Sequence, residues 1–180
     1  QPDSIIILDT CSWNQLEPAA EYLKQSPLPR IIVDHHKTRD SLVGTVAASA
    51  EYATDDTASA ASLLVHEWAR AAGWLNRAGV RAAEALFVGI SSDTGWFRFS
   101  NTDARTMTAA GELIAVGVRP DVWYAAMYES ASPARTRLEG AMLAAMKSSD
   151  KGRLVWSILT QEMFHVSGAL RSDTEDMIQG

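Results

Sequence analysis

The chain has 180 residues, of which 47% are hydrophobic and 21% charged, and its formal net charge at pH 7 is −6. A chain of this length can form one sizeable core, or one domain and part of a second. Its acidic balance argues against coating long nucleic acid, and no apolar run is long enough to span a membrane. The single cysteine, Cys11, excludes an internal disulfide, so we expect a reduced, cytoplasmic protein in which this thiol is buried.

The first forty residues predict a strand–helix–strand unit. The predicted elements are a strand over 4–8, a helix over 13–24 capped by Ser12, and a strand over 30–33. A unit of about thirty residues is the size of a crossover between parallel strands. Since parallel neighbours end on the same side of a sheet, Asp9 and Asp34 are predicted to share one edge. The fold class that follows is α/β, with a parallel sheet flanked by helices.

Beyond this unit the hydrophobic periodicity is mostly helical. The predicted elements are a short strand over 44–48, helices over 57–72, 80–91, 104–116, 120–127 and 132–147, a strand over 153–159, a helical turn over 160–164, and the start of a helix over 172–178. Residues 148–152 contain two serines, an aspartate and a glycine and predict a linker. We therefore expect one domain over 1–147. The segment 153–180 is too short to form a domain alone.

Acids and imidazoles stand at three predicted element ends. Asp9 follows the first strand, and Asp34-His35-His36 follows the second. The helix over 80–91 leads into Asp93 at its carboxyl-terminal end, where the helix dipole disfavours an anion unless a cation neutralises it. Imidazole nitrogens beside carboxylate oxygens are ligands for a divalent cation. Strand ends of an open α/β sheet are also where binding sites are commonly built.

The triplet Asp34-His35-His36 resembles the signature of the DHH phosphoesterase superfamily, which includes the RecJ nucleases, the family II inorganic pyrophosphatases and the nanoRNase/pAp-phosphatase group. Two more stretches occur in the family's order. Leu8-Asp9-Thr10 lies upstream, and residues 92–102 lie downstream. The downstream stretch is similar to the D-T-G-x-F-R-x-S-N-T segment of the nanoRNase/pAp-phosphatase branch. The resemblance implies a DHH domain, with residues 153–180 as the beginning of a DHHA1-type α/β domain.

The resemblance also implies a metal site of two ions. Asp9 corresponds to the carboxylate that bridges the ions, and His35 and Asp93 correspond to terminal ligands. Mixed oxygen and nitrogen ligation suits Mn²⁺, with Mg²⁺ or Co²⁺ as substitutes. A pair of divalent ions lowers the pKa of a bound water, which then attacks phosphorus.

The remaining site residues are assigned to the substrate. His36 and Arg98 are expected to contact the phosphoryl group and to stabilise its negative charge. Asp34 is expected to orient an imidazole. Ser100 and Asn101 can donate hydrogen bonds to phosphate, although a turn followed by a helix cap would also use them structurally.

One part of the family pattern does not occur in this sequence. The family has a histidine- and aspartate-rich motif upstream of the position of Asp9, whereas only eight residues precede Asp9 here, and Asp3 is the acidic one among them. We therefore expect that the sequence starts after this motif and stops within the second domain. We also expect that the chain alone binds metal poorly and has weak activity or none.

The predicted function is a metal-dependent phosphoesterase that hydrolyses short oligoribonucleotides, 3′-phosphoadenosine 5′-phosphate (pAp), or both. Two enzymatic alternatives are a family II-type inorganic pyrophosphatase and a phosphodiesterase of cyclic or linear dinucleotides. A third alternative is a non-catalytic DHH-like domain that senses nucleotides. The expected partner is a short oligonucleotide or nucleotide phosphate, rather than long nucleic acid or a membrane, and a homodimer is an open alternative.

A few further residues receive structural predictions. His66, in the middle of a helix, is predicted to be exposed or half-buried. Asp55 and Asp56 are predicted to start the helix over 57–72, where the helix dipole favours acids. The aromatic residues within 96–99 could stack on a nucleobase or pack against the core.

Overall fold

The computed structural model describes residues 2–42, 49–174 and 177. The chain divides into two compact units, Gln1–Pro120 and Asp121–Gly180. The family resemblance predicts a domain boundary at residue 147 instead, and this boundary stays a prediction. Among the residues described, no helix is long and apolar enough to cross a membrane.

The first unit contains a three-stranded parallel sheet. Its strands are β1 (Ile5–Leu8), β2 (Arg30–Asp34) and β3 (Ala50–Thr54), in the order β1-β2-β3. Helix α1 (Glu17–Gln25) connects β1 to β2, as the sequence predicts. Because the strands are parallel, all three end at one edge of the sheet, and the backbone N–H of Asp9 donates to the Val33 carbonyl, 2.9 Å away. The predicted parallel α/β fold is confirmed.

Strand β2 is central and is buried on both faces. On one face, Ile32 pairs with Ile7 and packs with Leu23 of α1 in a small apolar cluster. Val33 points to the other face because side chains alternate along a strand, and it is also buried. Helix α2 packs against β2. This double burial fixes the end of β2, where Asp34 lies.

Four helices complete the described part of the first unit. They are α2 (Ala61–Ala71), α3 (Leu75–Ala78), α4 (Val80–Asp93) and α5 (Ala104–Val116). Helices α2, α4 and α5 contact one another. The approach of α2 to α4 is close, since a Cβ added at Gly89 would lie 2.6 Å from Ser62 Oγ. This packing holds α4, with Asp93 as its last residue.

Two predicted helix starts are wrong because a local turn forms there instead. Helix α1 begins at Glu17 with Pro18 in its first turn, and Ser12 donates its N–H to Thr10 Oγ1 rather than capping a helix. Helix α2 begins at Ala61, because the Asp55 carboxylate accepts from the N–H and hydroxyl of Thr57 and closes a turn before the helix. Strand β3 was not predicted, and the strand predicted over 44–48 lies outside the described residues.

The second unit combines helices with a β-hairpin. Its elements are α6 (Pro120–Tyr128), α7 (Pro133–Ala144), β4 (Lys147–Ser149), β5 (Leu154–Trp156) and α8 (Gln161–Ser167). Strands β4 and β5 pair antiparallel, so residues 148–152, predicted as a linker, form part of a strand and the turn of this hairpin. Helix α7 ends three residues earlier than predicted. Leu138, Ala169 and Met177 form the buried cluster between α7 and the C-terminal segment.

The ends of this unit also differ from the predicted elements. Strand β5 is shorter than the strand predicted over 153–159, and α8 extends beyond the predicted turn over 160–164. Of the helix predicted over 172–178, the described part is the 3₁₀ turn Arg171–Thr174 and the turn residue Met177.

Candidate metal centre

Three predicted ligands meet at the carboxyl-terminal edge of the sheet. The Nε2 atom of His35 lies 3.2 Å from Asp9 Oδ1 and 3.5 Å from Asp93 Oδ2. Asp9 has a φ of 64°, a left-handed conformation that is uncommon outside glycine and that is found preferentially at functional sites. The structure therefore brings together side chains that are more than eighty positions apart in the sequence. Their role as ligands stays a prediction.

The orientation of the His35 ring is set by a backbone carbonyl. Its Nδ1 lies 3.2 Å from the carbonyl oxygen of Ala58. Because a carbonyl oxygen only accepts, the proton of a neutral ring belongs on Nδ1, which leaves the lone pair of Nε2 directed at the two carboxylates. In its protonated form the ring instead donates from Nε2 to Asp9, and this hydrogen bond raises the pKa of His35, while burial opposes the shift.

The pKa of Asp93 is also shifted by its surroundings. Burial, and then the negative charge of Asp9, raise the pKa of Asp93 to about 6. Two carboxylates close to one imidazole form a donor set that a divalent cation fits, because the cation neutralises both charges and accepts the nitrogen lone pair. The ligand atoms of Asp9, His35 and His36 also lie within 4.8 Å of one another.

Asp34 lies behind the centre and holds both histidines. The side chain is fully buried, and its Oδ1 accepts from the backbone N–H groups of His35 and His36 at 2.9 and 3.2 Å. The same oxygen lies 2.6 Å from His36 Nδ1. Burial would raise the pKa of Asp34, but hydrogen bonds from His36 and Cys11 outweigh it and lower that pKa. Asp34 thus contacts the His36 ring, and its predicted role in orienting an imidazole for catalysis stays a prediction.

Cys11 is buried, as predicted, beside this carboxylate. Burial, together with the nearby Asp34, raises the pKa of the Cys11 thiol to about 12. The thiol therefore stays protonated at neutral pH and is a poor nucleophile.

The loop after α4 has an unusual backbone. Gly95, Trp96 and Phe97 are all left-handed, with φ between 53° and 64°. The rings of Trp96 and Phe97 pack against Phe87, with centroid distances of 5.7 and 5.8 Å, and this packing holds the strained turn. Packing is therefore confirmed for two of the three aromatic residues.

The remaining residues of the loop, 98–101, are exposed. The Phe99 ring covers Gly95 so closely that an added Cβ there would clash with the ring, yet 45% of Phe99 stays exposed. Arg98 is exposed, and its Nε donates to the Gly95 carbonyl at 3.0 Å. Ser100 is exposed as well. Asn101 uses its side-chain nitrogen on two backbone carbonyls, those of Asp93 at 3.0 Å and Ser59 at 3.4 Å. The substrate roles of these residues stay predictions.

Comparison with known sequences identifies a relative that aligns with part of the chain. The chain is 29% identical over 129 residues to the bifunctional oligoribonuclease and PAP phosphatase NrnA of Bacillus subtilis (strain 168). The aligned region covers 70% of this chain and 38% of that protein. No protein-family model matches the chain.

Solved structures match over a larger share of the chain. An exopolyphosphatase-related protein from Bacteroides fragilis superposes with a TM-score of 0.89 over 99% of this chain and 51% of its own length, at 23% identity. A putative family II inorganic pyrophosphatase from Methanococcus jannaschii superposes with a TM-score of 0.52 over 84% and 50%, at 18% identity. At these identities the structures show a shared fold. The chain thus spans about half of the solved relatives and less of the curated one.

The chain is related to the DHH phosphoesterase superfamily. In this chain, the triplet Asp34-His35-His36 lies where the sequence places it, at the end of a parallel strand. What the sequence missed is the support for these residues. Ala58 acts through its backbone carbonyl, and a carbonyl carries no sequence signal.

The structure contradicts the prediction for His66. His66 is 1% exposed rather than exposed or half-buried. Its Nε2 lies 3.1 Å from Glu112 Oε2, and Arg70 Nε lies 3.4 Å from the other oxygen of that carboxylate. Burial lowers the pKa of His66, and the charge of Glu112 opposes this shift. Asp55, predicted as a helix-start residue, closes the turn before α2 and pairs with Arg105 at 3.0 Å.

Proposed function

We propose that the chain supplies the metal-binding part of a phosphoesterase that hydrolyses short oligoribonucleotides, pAp, or both. The observation that carries this proposal is the convergence of His35 Nε2 on the carboxylates of Asp9 and Asp93. The name of the Bacillus subtilis relative supports the substrate class.

The proposed ion is Mn²⁺, with Mg²⁺ or Co²⁺ as substitutes, since oxygen ligands outnumber nitrogen in the donor set. Asp9, with half of its side chain exposed, would bridge, and His35 and Asp93 would be terminal ligands. A bound pair of ions would supply a water of lowered pKa as the nucleophile. Three protein ligands are few for two ions. We therefore expect the chain alone to bind Mn²⁺ weakly.

The remaining residues act on the phosphate. Asp34 Oδ1 lies 2.6 Å from His36 Nδ1, which keeps a proton there and directs Nε2 outward, where almost half of the side chain is accessible. His36 Nε2 can then donate to a phosphoryl oxygen when the ring is protonated. Arg98, tethered by Gly95, adds a positive charge on the neighbouring loop. Both groups would stabilise negative charge that develops in the transition state.

The exposed ring of Phe99 favours a nucleotide over inorganic pyrophosphate. It lies on the same short loop as Arg98, so a base could stack on the ring while a phosphate contacts the guanidinium. A pyrophosphatase, a dinucleotide phosphodiesterase and a nucleotide sensor are the alternatives that the test separates. Assembly as a homodimer stays a prediction.

The test measures Mn²⁺-dependent release of mononucleotide from a di- to tetraribonucleotide, with pAp, a cyclic dinucleotide and pyrophosphate assayed in parallel. Weak hydrolysis by the chain that is lost in Asp93→Ala supports the proposal. The matched control is Asp56→Ala, which removes an exposed carboxylate. Equal hydrolysis by wild type and Asp93→Ala would overturn the ligand assignment. Faster turnover of pyrophosphate or of the cyclic dinucleotide would favour that alternative. Binding of a nucleotide that needs no Mn²⁺, is unchanged by Asp93→Ala and leads to no turnover would favour the sensor.

A further inference from the structure

Hydrogen bonds connect two of the proposed ligands, His35 and Asp93, to Ala58 and Ser59, which precede α2. The Ala58 carbonyl faces His35 Nδ1 at 3.2 Å. The next carbonyl, that of Ser59, accepts from Asn101 Nδ2 at 3.4 Å, and the same nitrogen donates to the Asp93 carbonyl at 3.0 Å. Asn101 thus joins the segment that orients His35 to the residue that carries the Asp93 carboxylate.

This two-residue segment is itself rigidly held. Ser59 is buried, and its hydroxyl lies 2.8 Å from the hydroxyl of Thr106, which is also buried. Asp103 accepts from the backbone N–H and the hydroxyl of Thr106, both at 2.8 Å, and so caps α5. Because buried hydroxyls without partners are unfavourable, this network resists displacement of the segment.

The amide of Asn101 suits this position chemically. Asp93 ends α4, so its carbonyl belongs to the last turn, where carbonyls have no partner within the helix. A side-chain NH₂ group has two protons and can donate to two carbonyls at once, whereas a carboxylate has none and a hydroxyl has one.

We propose that Asn101 is a positioning residue that holds Asp93 at the distance from His35 that a shared cation requires. The proposal rests on the proposed function in that the cation is the one bound by Asp9, His35 and Asp93. It assigns Asn101 to the protein frame, although the sequence suggests a contact with substrate phosphate. Ser59 and Thr106 support the same frame one step further from the ligands.

The test is a double-mutant cycle on Mn²⁺ affinity, measured by electron paramagnetic resonance of free Mn²⁺ with the full chain. Asn101→Ala should weaken binding about tenfold, as expected for loss of hydrogen bonds that position one ligand. In the Asp93→Asn background, the same change should have no further effect, because Asn101 acts through Asp93. Asn101→Gln keeps the amide and should recover part of the affinity. Asn76→Ala, which removes an exposed asparagine from α3, is the matched control and should bind like wild type.

The outcomes separate this inference from the proposed function. Additive effects of Asn101→Ala and Asp93→Asn, or wild-type affinity of Asn101→Ala, would overturn the positioning role. A urea unfolding midpoint near that of wild type shows that Asn101→Ala is folded. If it is not, Thr106→Ser against Thr106→Val tests the same frame with a variant that keeps the hydroxyl. A coupled cycle in a chain whose phosphoester hydrolysis is unchanged by Asp93→Ala supports the inference and overturns the proposed function. Hydrolysis that is lost in Asp93→Ala but equal to wild type in Asn101→Ala supports the proposed function and overturns the inference.

Discussion

Two histidine–carboxylate clusters of the first unit use the same residue types in opposite environments. His35 lies at the sheet edge between Asp9 and Asp93, whereas His66 is buried between α2 and α5 against Glu112. The hydrogen bond to Asp9 raises the pKa of His35, while burial lowers the pKa of His66. Each histidine is thus driven toward a different charge state.

The balance of charge explains the difference. Glu112 is the carboxylate of its cluster, and both His66 and Arg70 lie close to it. At the edge, two carboxylates face one imidazole, and one of them has a pKa raised to about 6. The buried cluster is therefore a structural pair, and the exposed one is suited to binding a cation. The cavity of about 280 Å³ beside His66 is likewise bordered by opposite charges, such as Glu67 and Arg105.

The largest expected difference between the clusters is in activity. His35→Gln should lower Mn²⁺-dependent hydrolysis by about a hundredfold or more, because a proposed ligand is lost. His66→Gln should stay within about threefold of wild type when assayed well below its melting temperature. Initial rates on a diribonucleotide measure both. A larger loss in His66→Gln than in His35→Gln would reverse the comparison.

The second difference is in stability, and its order is the opposite. His66→Gln should lower the free energy of unfolding by about 1–3 kcal/mol, because a buried imidazole and its pairing with Glu112 are lost. His35→Gln should change it by about 0.5 kcal/mol or less in metal-free protein, because His35 is partly exposed. Urea unfolding followed by circular dichroism provides the measurement. Equal losses would mean that the edge cluster also has a structural role.

The third difference is in the pH dependence of stability. A raised pKa at Asp93 means that the folded state binds a proton more tightly than the unfolded state, so stability falls as pH rises from about 4 to 6. The raised pKa of His35 acts in the same direction at higher pH. The lowered pKa of His66 acts in the opposite direction, because its stability contribution is lost as pH falls below about 6.5.

Asp93→Asn should therefore stabilise metal-free protein by about 1–2 kcal/mol at pH 7.5, and by less at pH 4. Melting temperatures of wild type and Asp93→Asn across pH 4–8, in the presence of a chelator, measure this difference. A variant that is less stable than wild type at pH 7.5 would show that the Asp93 carboxylate is satisfied without a cation.

The smallest expected effect concerns an ion-pair network next to the buried cluster. Arg105 binds Glu67 through two nitrogens at 2.8 Å each and Asp55 at 3.0 Å. Arg105→Lys keeps the charge but loses the paired geometry, and because the side chain is partly exposed the cost should be about 0.5–1 kcal/mol. Urea unfolding is the measurement, with Arg81→Lys as the matched control. Indistinguishable midpoints for the two variants would show that the network adds no stability.

The sequence alone determined the architecture around the site. The apolar runs that end in Asp9 and Asp34, separated by a helix-sized segment, favoured two parallel strands with acids at one edge, because a segment of this length is typical of a crossover between parallel strands. The periodicity of 80–91 placed Asp93 at a helix end. Where the sequence failed, short-range hydrogen bonds competed with helix formation, as Asp55 does with Thr57 and Thr10 does with Ser12.

Only the tertiary structure decided which of these residues interact and in what state. The burial of His66, the distances that join His35 to Asp9 and Asp93, and the bridge from Asn101 to the carbonyls of Ser59 and Asp93 all depend on how distant segments pack. A pattern of residues sets which faces are apolar and where elements end. Backbone carbonyls, ring orientations and raised or lowered pKa values come from neighbours far along the chain, and their effect follows from distance and burial.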